Sequence, residues 1–356
     1  MSESDVKRKF ATIRKISNIK PIEDASRIVL AIVDGWQTVV PINDFKIDDL
    51  VVFFEIDSFL PEEPRYEFLK RSSYRSLWDG TKGYRVKTAR FKKQLSQGIL
   101  LPLSLFPEIT DPKAGDDVTE LLHIKLWEAQ LPTCLMGNAK AQFPYFIKKT
   151  DQERIQNFPR YFEDLKDVLF EVTEKLDGTS ATYYYLDGTF GVCSRSLEWK
   201  EDEQIAYWKM ARAYRIKEAL ESIQDNLAIQ GEIVGEKING NSLKIKGGDF
   251  YVFDIYSIRL HRLLVPSERL EVLQQLENKG FKLKHVPILE HITLKDLDMD
   301  KILKYAHGKS IVNPEVDREG VVFKSDTNID ETAPISFKVI NNTFLEKMEA
   351  NEQNNV

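Results

Sequence analysis

The chain is poor in cysteine and in long apolar runs. Its 356 residues include only Cys134 and Cys193, too few for a four-cysteine zinc site or a disulfide framework. No apolar run approaches the roughly 18 residues of a membrane-spanning helix, and the start, MSESDVKRKF, lacks the apolar core of a signal peptide. We therefore expect an intracellular, cytoplasmic protein with no sulfur-bound metal and no membrane partner.

The chain also lacks an overall basic charge. Its net charge is -6, with 42% apolar and 30% charged residues, as in ordinary globular proteins, and its length suggests two domains. The net charge argues against a generally basic nucleic-acid-binding protein, so any contact with phosphate groups must come from a local basic surface.

One long stretch lacks acidic residues, since none stands between Asp79 and Glu108. Lysines at a sheet edge, where they discourage edge-to-edge pairing, would explain such a stretch equally well. The alternation in GYRVKTARF nevertheless favours a strand pair whose basic side chains project together, with Tyr84 and Phe91 as stacking faces. We predict a nucleic-acid-binding surface formed by Lys82, Arg85, Lys87, Arg90, Lys92 and Lys93.

The sequence pattern of the first part of the chain predicts short strands. Residues 27–40 form a hairpin signal around Asp34-Gly35, and apolar strands are expected near residues 9–16 and 49–56. Five or six strands suit a small OB-like barrel, a fold that commonly binds nucleic acid. We predict an OB-like nucleic-acid-binding domain over 1–130, with a boundary near 128–145.

The second part mixes strands and helices. A turn around Lys175 and a hairpin at Asp187-Gly188 precede a predicted helix over 201–224, and strands follow at 226–235 and 249–258. Further helices are expected after Pro266, capped by Ser267 and ending near Gly280, and over 294–307. With final strands at 320–324 and 335–340, the expected fold class is α+β with largely antiparallel sheets, forming a catalytic domain over 145–350.

Several charged residues stand on or beside strands that are otherwise built for burial. Taken singly, each fits an outward-facing strand position, but together they supply the parts for nucleotidyl transfer. A lysine amine attacks phosphorus only after losing its proton, and a divalent cation and a second lysine would lower its pKa. Carboxylates suit a hydrated Mg²⁺ or Mn²⁺, and lysines can neutralise phosphoryl charge. The predicted catalytic residues are Lys175, Asp177, Glu232, Glu319, Lys324 and Lys338, with the three carboxylates holding the metal through water.

These residues belong to an ordered set of motifs. In chain order the set comprises Lys175-x-Asp177-Gly178, Ser194-Arg195-Ser196, Gly231-Glu232, Phe250-Tyr251-Val252-Phe253-Asp254, Arg318-Glu319-Gly320-Val321-Val322-Phe323-Lys324 and Phe337-Lys338. It resembles the covalent nucleotidyltransferase superfamily of polynucleotide ligases and mRNA capping enzymes. The resemblance implies that Lys175 becomes linked to a nucleoside monophosphate. It also implies a nucleotide site that includes Glu174 and Lys175, with Arg195 and Glu232 at the ribose, Phe253 near adenine and Lys338 at the α-phosphate.

The order of the two predicted domains restricts the resemblance to one group within the superfamily. Only 18 residues follow Lys338, and the barrel candidate comes first. This order is similar to that of ATP-dependent RNA ligases with an N-terminal OB domain, a resemblance that also implies a nucleotide-binding role for Arg154. Ser336 stands where many relatives carry a lysine.

The resemblance implies an ATP-dependent RNA ligase that joins 3′-hydroxyl and 5′-phosphate ends through lysyl-AMP. The expected partner is RNA, at nicks or breaks in duplex or structured RNA, with an RNA–DNA hybrid left open and a monomer as the expected state. A DNA ligase or guanylyltransferase of the same superfamily, or a non-catalytic OB-fold RNA-binding protein, remains as an alternative.

Overall fold

The computed structural model describes residues 8–77, 79–92, 94–127, 137–149, 151–223, 225–330 and 332–347, without the side chains of 328–330. The chain divides into two compact units, Met1–Leu131 with Glu346–Val356, and Pro132–Leu345. Part of the predicted boundary at 128–145 lies outside the described residues, so the domain bounds 1–130 and 145–350 stay a prediction. None of the helices in these ranges is long and apolar enough to cross a membrane.

The described part of the first unit is built from short strands, a single-turn α-helix and the 3-10 helices Pro64–Leu69 and Leu103–Leu105. The strands are β1 Ala11–Lys15, β2 Asn18–Pro21, β3 Ile28–Val33, β4 Trp36–Pro41, β5 Leu50–Phe54, β6 Ser58–Pro61, β7 Tyr74–Ser76, β8 Lys82–Arg85, β9 Ala89–Phe91, β10 Gln94–Ser96, β11 Ile99–Pro102 and β12 Lys125–Leu126; the helix is α1 Lys70–Ser73. They form sheets in the orders β1-β5-β11, β2-β3-β4, β12-β6-β8-β7 and β10-β9. The expectation of five or six strands was too low, because several short strands lie outside the predicted runs: β2, β6, β7, β10 and β12.

The hairpin predicted around Asp34-Gly35 is confirmed. Strands β3 and β4 pair with Val33 opposite Trp36, and the two turn residues have φ angles of 46° and 82°. Positive φ at both central positions is what a two-residue hairpin turn requires, and Asp-Gly tolerates it.

Strand β5 separates two apolar clusters of the first unit. Val52 and Phe54 pack into one cluster and Val51 and Phe53 into the other, because successive side chains of a strand point to opposite faces. A strand that is buried on both faces explains the uninterrupted apolar run in the sequence.

The second unit contains two large sheets and the longer helices. Its strands are β13 Ala139–Gln142, β14 Phe170–Lys175, β15 Thr179–Leu186, β16 Thr189–Cys193, β17 Leu197–Trp199, β18 Leu227–Gly235, β19 Gly248–Ser257, β20 Arg262–Leu263, β21 Lys284–His285, β22 Ile288–Ile292, β23 Gly320–Asp330 and β24 Ala333–Ile340. Its helices are α2 Tyr161–Asp164, α3 Ala206–Ala213, α4 Ile216–Ile223, α5 Pro266–Asn278 and α6 Met299–Tyr305.

An eight-stranded sheet has the order β13-β17-β16-β15-β18-β19-β20, with β21 also paired to β19, and a four-stranded sheet has the order β22-β14-β23-β24. Apart from the parallel pair β19–β21, the named pairs of both sheets are antiparallel, which confirms the predicted α+β class. Strand β14 lies in the smaller sheet and β15 in the larger one. Leu176, Asp177 and Gly178 therefore carry the chain from one sheet to the other.

Three helix predictions need correction. The helix predicted over 201–224 is two helices, α3 and α4, separated where Arg215 has a φ of 50°; its last predicted residue, Gln224, lies outside the described residues. Ala211 of α3 and Ile216 of α4 pack into the same apolar cluster. The helical spacing of apolar residues therefore continues across the break, and the sequence pattern does not reveal it.

Ser267 does not cap α5. Instead, Glu268 accepts a hydrogen bond from the backbone N–H of Val265 at 3.0 Å, while Gly280 has the predicted left-handed φ, 87°. The third helix, α6, begins only at Met299, because Asp298 caps it by accepting from the Lys301 backbone N–H at 2.8 Å.

Candidate active site

Lys175 is the last residue of β14, beside the crossing between the two sheets. The pairing of β14 with β23 places it opposite Gly320, and its Nζ donates to both carboxylate oxygens of Glu319 at 2.7 Å. The Lys175 side chain remains 27% exposed and that of Glu319 15%. An amine and a carboxylate thus form a partly accessible pair at the end of a buried strand.

The turn after Lys175 packs tightly against β18. Leu176 is buried with Val234 and Leu243. A Cβ added to Gly178 would lie 2.2 Å from the backbone oxygen of Ile233, a distance that no side chain tolerates. Glycine is therefore needed at this position to bring Asp177 close to the larger sheet.

Asp177 is oriented by two residues that the sequence reasoning missed. Its Oδ1 accepts from Asn239 Nδ2 at 2.5 Å, and its Oδ2 accepts from Ser242 Oγ at 2.6 Å. Both partners lie in the loop between β18 and β19. The turn-forming run Asn-Gly-Asn-Ser was a signal for an ordered loop, but nothing local indicates its partner.

Glu232 completes a group of three carboxylates around one amine. Burial, opposed by Lys175 and reinforced by Glu319 and Asp177, raises the pKa of Glu232 to about 8. Burial also raises the pKa of Glu319, although Lys175 opposes it. Negative charge therefore exceeds positive charge in this group when all the carboxyls are ionised.

The pKa of Lys175 is shifted in the direction opposite to our prediction. Burial lowers it, but the charges of Glu319, Glu232 and Asp177 outweigh burial and raise the pKa above its usual value. The residues of the chain therefore keep the amine protonated, because its nearest charged neighbours are carboxylates and not a second lysine.

Three of the predicted nucleotide-binding cations lie near Asp151. Arg195 Nη2 donates to Asp151 Oδ2 at 2.8 Å, and Lys338 Nζ lies 3.9 Å from Asp151 Oδ1. Arg154 and Lys338 form a parallel backbone bridge, and Lys338 N donates to Glu153 O at 2.8 Å. Asp151 was not predicted, because its pairing with β24 is distant in sequence.

Glu174 and Phe253 line the apolar side of the same region. Glu174 is 1% exposed, and its Oε2 accepts from the backbone N–H of Ile311 at 2.7 Å, while its Oε1 has no hydrogen-bond partner among the described residues. Phe253 packs in the apolar cluster that contains Leu176. A buried carboxylate oxygen without a partner can accept a hydrogen bond from a ligand.

Comparisons with known proteins find matches to both parts of the chain. Residues 169–340 match a family model for RNA ligase, and residues 10–103 match one for an OB-fold domain. A mutant Naegleria gruberi RNA ligase with AMP and Mn is 45% identical, with a TM-score of 0.83, and the match covers 96% of this chain and 99% of that one. The chain belongs to the RNA ligase family.

Two further Naegleria gruberi RNA ligase structures match this ligase. A mutant with ATP and Mn has 45% identity and a TM-score of 0.83, with 95% of this chain and 99% of that chain covered. The form with PPi has 46% identity and a TM-score of 0.82, with 96% and 99% covered. A comparison with curated protein sequences finds no match.

Lys324 of the ligase lies apart from Lys175 and its three carboxylates. The β14–β23 register places it opposite Glu171, four residues before Lys175 on β14. It is 3% exposed, and its Nζ donates to Asp254 Oδ1 at 2.6 Å and to Phe253 O at 2.7 Å. Burial, assisted by Arg269 and opposed by Asp254, lowers the pKa of Lys324. The structure therefore does not bring this lysine to the Lys175 group.

The residues around Lys175 fit a hydrated divalent cation better than a directly bound one. Among the described residues, no three histidine, cysteine or acidic side chains are arranged to hold a metal ion. Both oxygens of Asp177 and both of Glu319 already accept hydrogen bonds from the protein. An all-oxygen set with excess negative charge suits magnesium, which keeps several of its waters.

The basic run of the first unit is divided between two sheets, so its side chains do not project from one strand pair. Lys82 and Arg85 lie on β8, Arg90 lies on β9, and the exposed Lys87 and Lys92 lie outside those strands.

Two arginines of this basic run already bind other residues of the same chain. Arg85 pairs with Asp57 at 2.8 Å, and Arg90 donates to the Glu346 backbone oxygen at 3.2 Å. Tyr84 is 2% exposed, so its predicted role as a stacking face is wrong, whereas Phe91 is exposed. Lys93 lies outside the described residues.

Proposed function

We propose that this RNA ligase uses ATP to join a 5′-phosphate to a 3′-hydroxyl, with Lys175 as the nucleophile that carries AMP. The observation that carries the proposal is the partly exposed Lys175 amine among Glu319, Glu232 and Asp177. Such an amine, held at a turn and partly accessible to solvent, is suited to covalent catalysis.

The first step requires Lys175 to leave its present hydrogen bonds. Its amine donates to both oxygens of Glu319, and it must give up a proton and turn to the α-phosphate before it can attack. The N–P bond then forms as the bond to pyrophosphate breaks, in line with the attacking nitrogen. Lys338 and Arg195, which share the Asp151 carboxylate, would exchange it for the nucleotide, Lys338 for the α-phosphate and Arg195 for the ribose.

The later steps transfer AMP to RNA. The 5′-phosphate of one RNA end attacks the lysyl-AMP phosphorus and releases Lys175. The 3′-hydroxyl of the other end then attacks the activated 5′-phosphate, forming the phosphodiester and releasing AMP. Each step breaks one P–N or P–O bond as it forms one P–O bond.

Glu174 gives the site a preference for adenine over guanine. Its buried Oε1, without a partner among the described residues, can accept from the exocyclic amino group of adenine, whereas guanine offers an acceptor oxygen there. Phe253 offers an apolar contact for the base. Arg154 is a further candidate contact to the nucleotide.

A divalent cation would be held through water by Asp177, Glu232 and Glu319. When bound, it would supply positive charge that lowers the Lys175 pKa and neutralises the phosphates. Mutant structures of the Naegleria gruberi RNA ligase with ATP or AMP and Mn support the use of a divalent cation.

RNA is the expected substrate, with nicks or breaks in duplex or structured RNA as the proposed form and RNA–DNA hybrid ends as an alternative. We assign RNA binding in the first unit to its OB fold and to Lys82, Lys87, Arg90 and Lys92, with a smaller share for the paired Arg85. We also propose that the ligase is a monomer in the cytoplasm; every residue proposed for the site belongs to one copy.

Mass spectrometry of the protein after incubation with magnesium and either ATP or GTP tests the proposal. An added AMP on Lys175 is expected with ATP and none with GTP; label from GTP alone would contradict it. Sealing of matched nicked RNA, nicked DNA and hybrid duplexes then identifies the polynucleotide, and sealing of nicked DNA alone would overturn the RNA assignment.

A further inference from the structure

A second basic surface lies in the loop between β18 and β19. This loop, residues 236–247, carries the exposed residues Lys237, Lys244 and Lys246, and no acidic residue stands between Glu236 and Asp249. We call it the basic loop. It was not among the sites predicted from the sequence.

The three lysines of the basic loop are not neutralised by the protein. The side-chain amine of none of them has an ion-pair or hydrogen-bond partner among the described residues. Other exposed lysines of the same unit do: Lys217, Lys282 and Lys301 lie 3.8, 3.6 and 3.6 Å from carboxylate oxygens. In a protein with a net charge of -6, an unpaired lysine group is a local site for anions.

The basic loop is an ordered structure. Leu243 is 3% exposed and packs in the apolar cluster with Leu176, and the Asn241 side chain exchanges two hydrogen bonds of 3.0 Å with the backbone of Ile245. Lys237 and Lys244 have φ angles of 67° and 52°, which non-glycine residues rarely adopt and which cluster at functional sites.

The loop is also fixed relative to the nucleophile. Asn239 and Ser242 hold the two oxygens of Asp177, which stands two residues after Lys175. Whatever binds the lysines is therefore held at a defined place beside the reacting amine.

We propose that the basic loop binds the sugar-phosphate backbone of the RNA next to the break and so places the 5′-phosphate at Lys175. Three separate unpaired charges on one exposed loop suit the repeated phosphates of a strand better than a single nucleotide. The inference rests on the proposed function, to which it adds the residues that hold the polynucleotide in the second unit.

The test compares two triple variants of the full chain. In the loop variant Lys237, Lys244 and Lys246 are each changed to Gln; in the control variant Lys217, Lys282 and Lys301 are. Binding of nicked RNA is measured against salt concentration, and formation of lysyl-AMP is measured without RNA.

The loop variant should bind RNA about tenfold or more weakly at moderate salt, and its plot of log affinity against log salt should be shallower by about 2 units, as for the loss of three phosphate contacts. Its lysyl-AMP formation should stay within about twofold of wild type, because that step uses no RNA. The control variant should match wild type in both measurements, and a Lys-to-Arg loop variant should retain RNA binding.

The inference would be overturned if the loop variant and the control variant bound nicked RNA with equal affinity and equal dependence on salt. Binding of an acidic protein to the loop would not rescue it. A wild-type protein that forms no AMP adduct would instead contradict the proposed function. The binding comparison would still decide the role of the loop in that case, so the two failures are distinguishable.

Discussion

Two lysine–carboxylate pairs on the same face of one sheet behave in opposite ways. Lys175 and Glu319 lie 2.7 Å apart and Lys324 and Asp254 lie 2.6 Å apart, yet the Lys175 side chain is 27% exposed and that of Lys324 only 3%. The pKa of Lys175 is raised because carboxylate charge outweighs burial, whereas burial lowers that of Lys324.

The charge balance around each pair explains the difference. Lys324 and Asp254 are joined by the fully buried pair of Arg269 and Glu171 at 2.6 Å, so cations and carboxylates are equal in number. The Lys175 group has three carboxylates for one amine and is open to solvent. A balanced, closed group stabilises the packing of the two sheets, while an unbalanced, open group has room for a cation and a substrate.

Removing the Lys175 amine is the largest expected change in activity. In Lys175→Ala, lysyl-AMP should fall by at least about 10³-fold, because no other group replaces a covalent nucleophile. The free energy of unfolding should change by about 1 kcal/mol or less, since the pair is partly exposed. Mass spectrometry and urea unfolding measure the two quantities.

Lys175→Arg is the matched control for that experiment. It keeps a cation beside Glu319 and should also lose lysyl-AMP while unfolding like wild type. An adduct that persists in both variants would show that another residue is the nucleophile.

Removing the Lys324 amine should instead unfold the protein more easily. Lys324→Met leaves Asp254 buried without its partner, so the free energy of unfolding should fall by about 3–5 kcal/mol, and the double variant with Asp254→Asn should recover much of that loss. Lys309→Met, which breaks the exposed pair with Asp317, should cost about 1 kcal/mol or less. Urea unfolding measures all three.

One result would contradict the structural role assigned to Lys324. If Lys324→Met were as stable as wild type but had lost lysyl-AMP, the catalytic role first predicted for Lys324 would be correct. Loss of stability with adduct formation retained at low temperature would support the structural role.

The motifs predicted the face on which Lys324 lies but not its distance from the nucleophile. Lys175, Glu171 and Lys324 share one face of the sheet because their strand positions alternate together. Four residues of strand correspond to about 13 Å, however, and neither motif order nor alternation reveals that separation. Only the pairing register does.

Short sequence patterns predicted those structural features that depend on residues adjacent in the chain. The hairpin at Asp34-Gly35 and the turn at Lys175 follow from residues adjacent in the chain. Asp151 and Asn239 were missed because each meets its partner across the fold; Asn239 lies 62 residues from Asp177. The break at Arg215 was missed because apolar spacing continues through it.

The charge imbalance around Lys175 also predicts a pH dependence of stability. The pKa of Glu232 is raised to about 8, chiefly by burial, whereas an unfolded glutamate titrates near 4.3. The folded protein therefore holds a proton that the unfolded chain releases, and stability should fall by about 2–4 kcal/mol as pH rises from about 4.3 to 8.

Glu232→Gln removes this contribution. Its free energy of unfolding should resemble that of wild type near pH 4 and exceed it at pH 8.5, in urea unfolding at each pH. Glu236→Gln, at an exposed position nearby, should keep the wild-type slope. Parallel curves for wild type and Glu232→Gln would show that Glu232 is not a proton-holding member of the group.

The smallest expected effect concerns the orientation of Asp177. Asn239→Ala removes one of its two hydrogen bonds, which at a partly exposed carboxylate is worth about 1 kcal/mol, or about fivefold in the rate of lysyl-AMP formation. Because Asp177 is assigned to the metal, the magnesium concentration for half-maximal rate should rise while the KM for ATP stays near wild type. Asn278→Ala, at the exposed end of α5, should alter neither value. A rise in the KM for ATP alone would mean that the loop contacts the nucleotide directly. A rise in the required magnesium concentration would instead support the difference between Asp177, which needs an external cation, and Asp254, whose charge is balanced by Lys324.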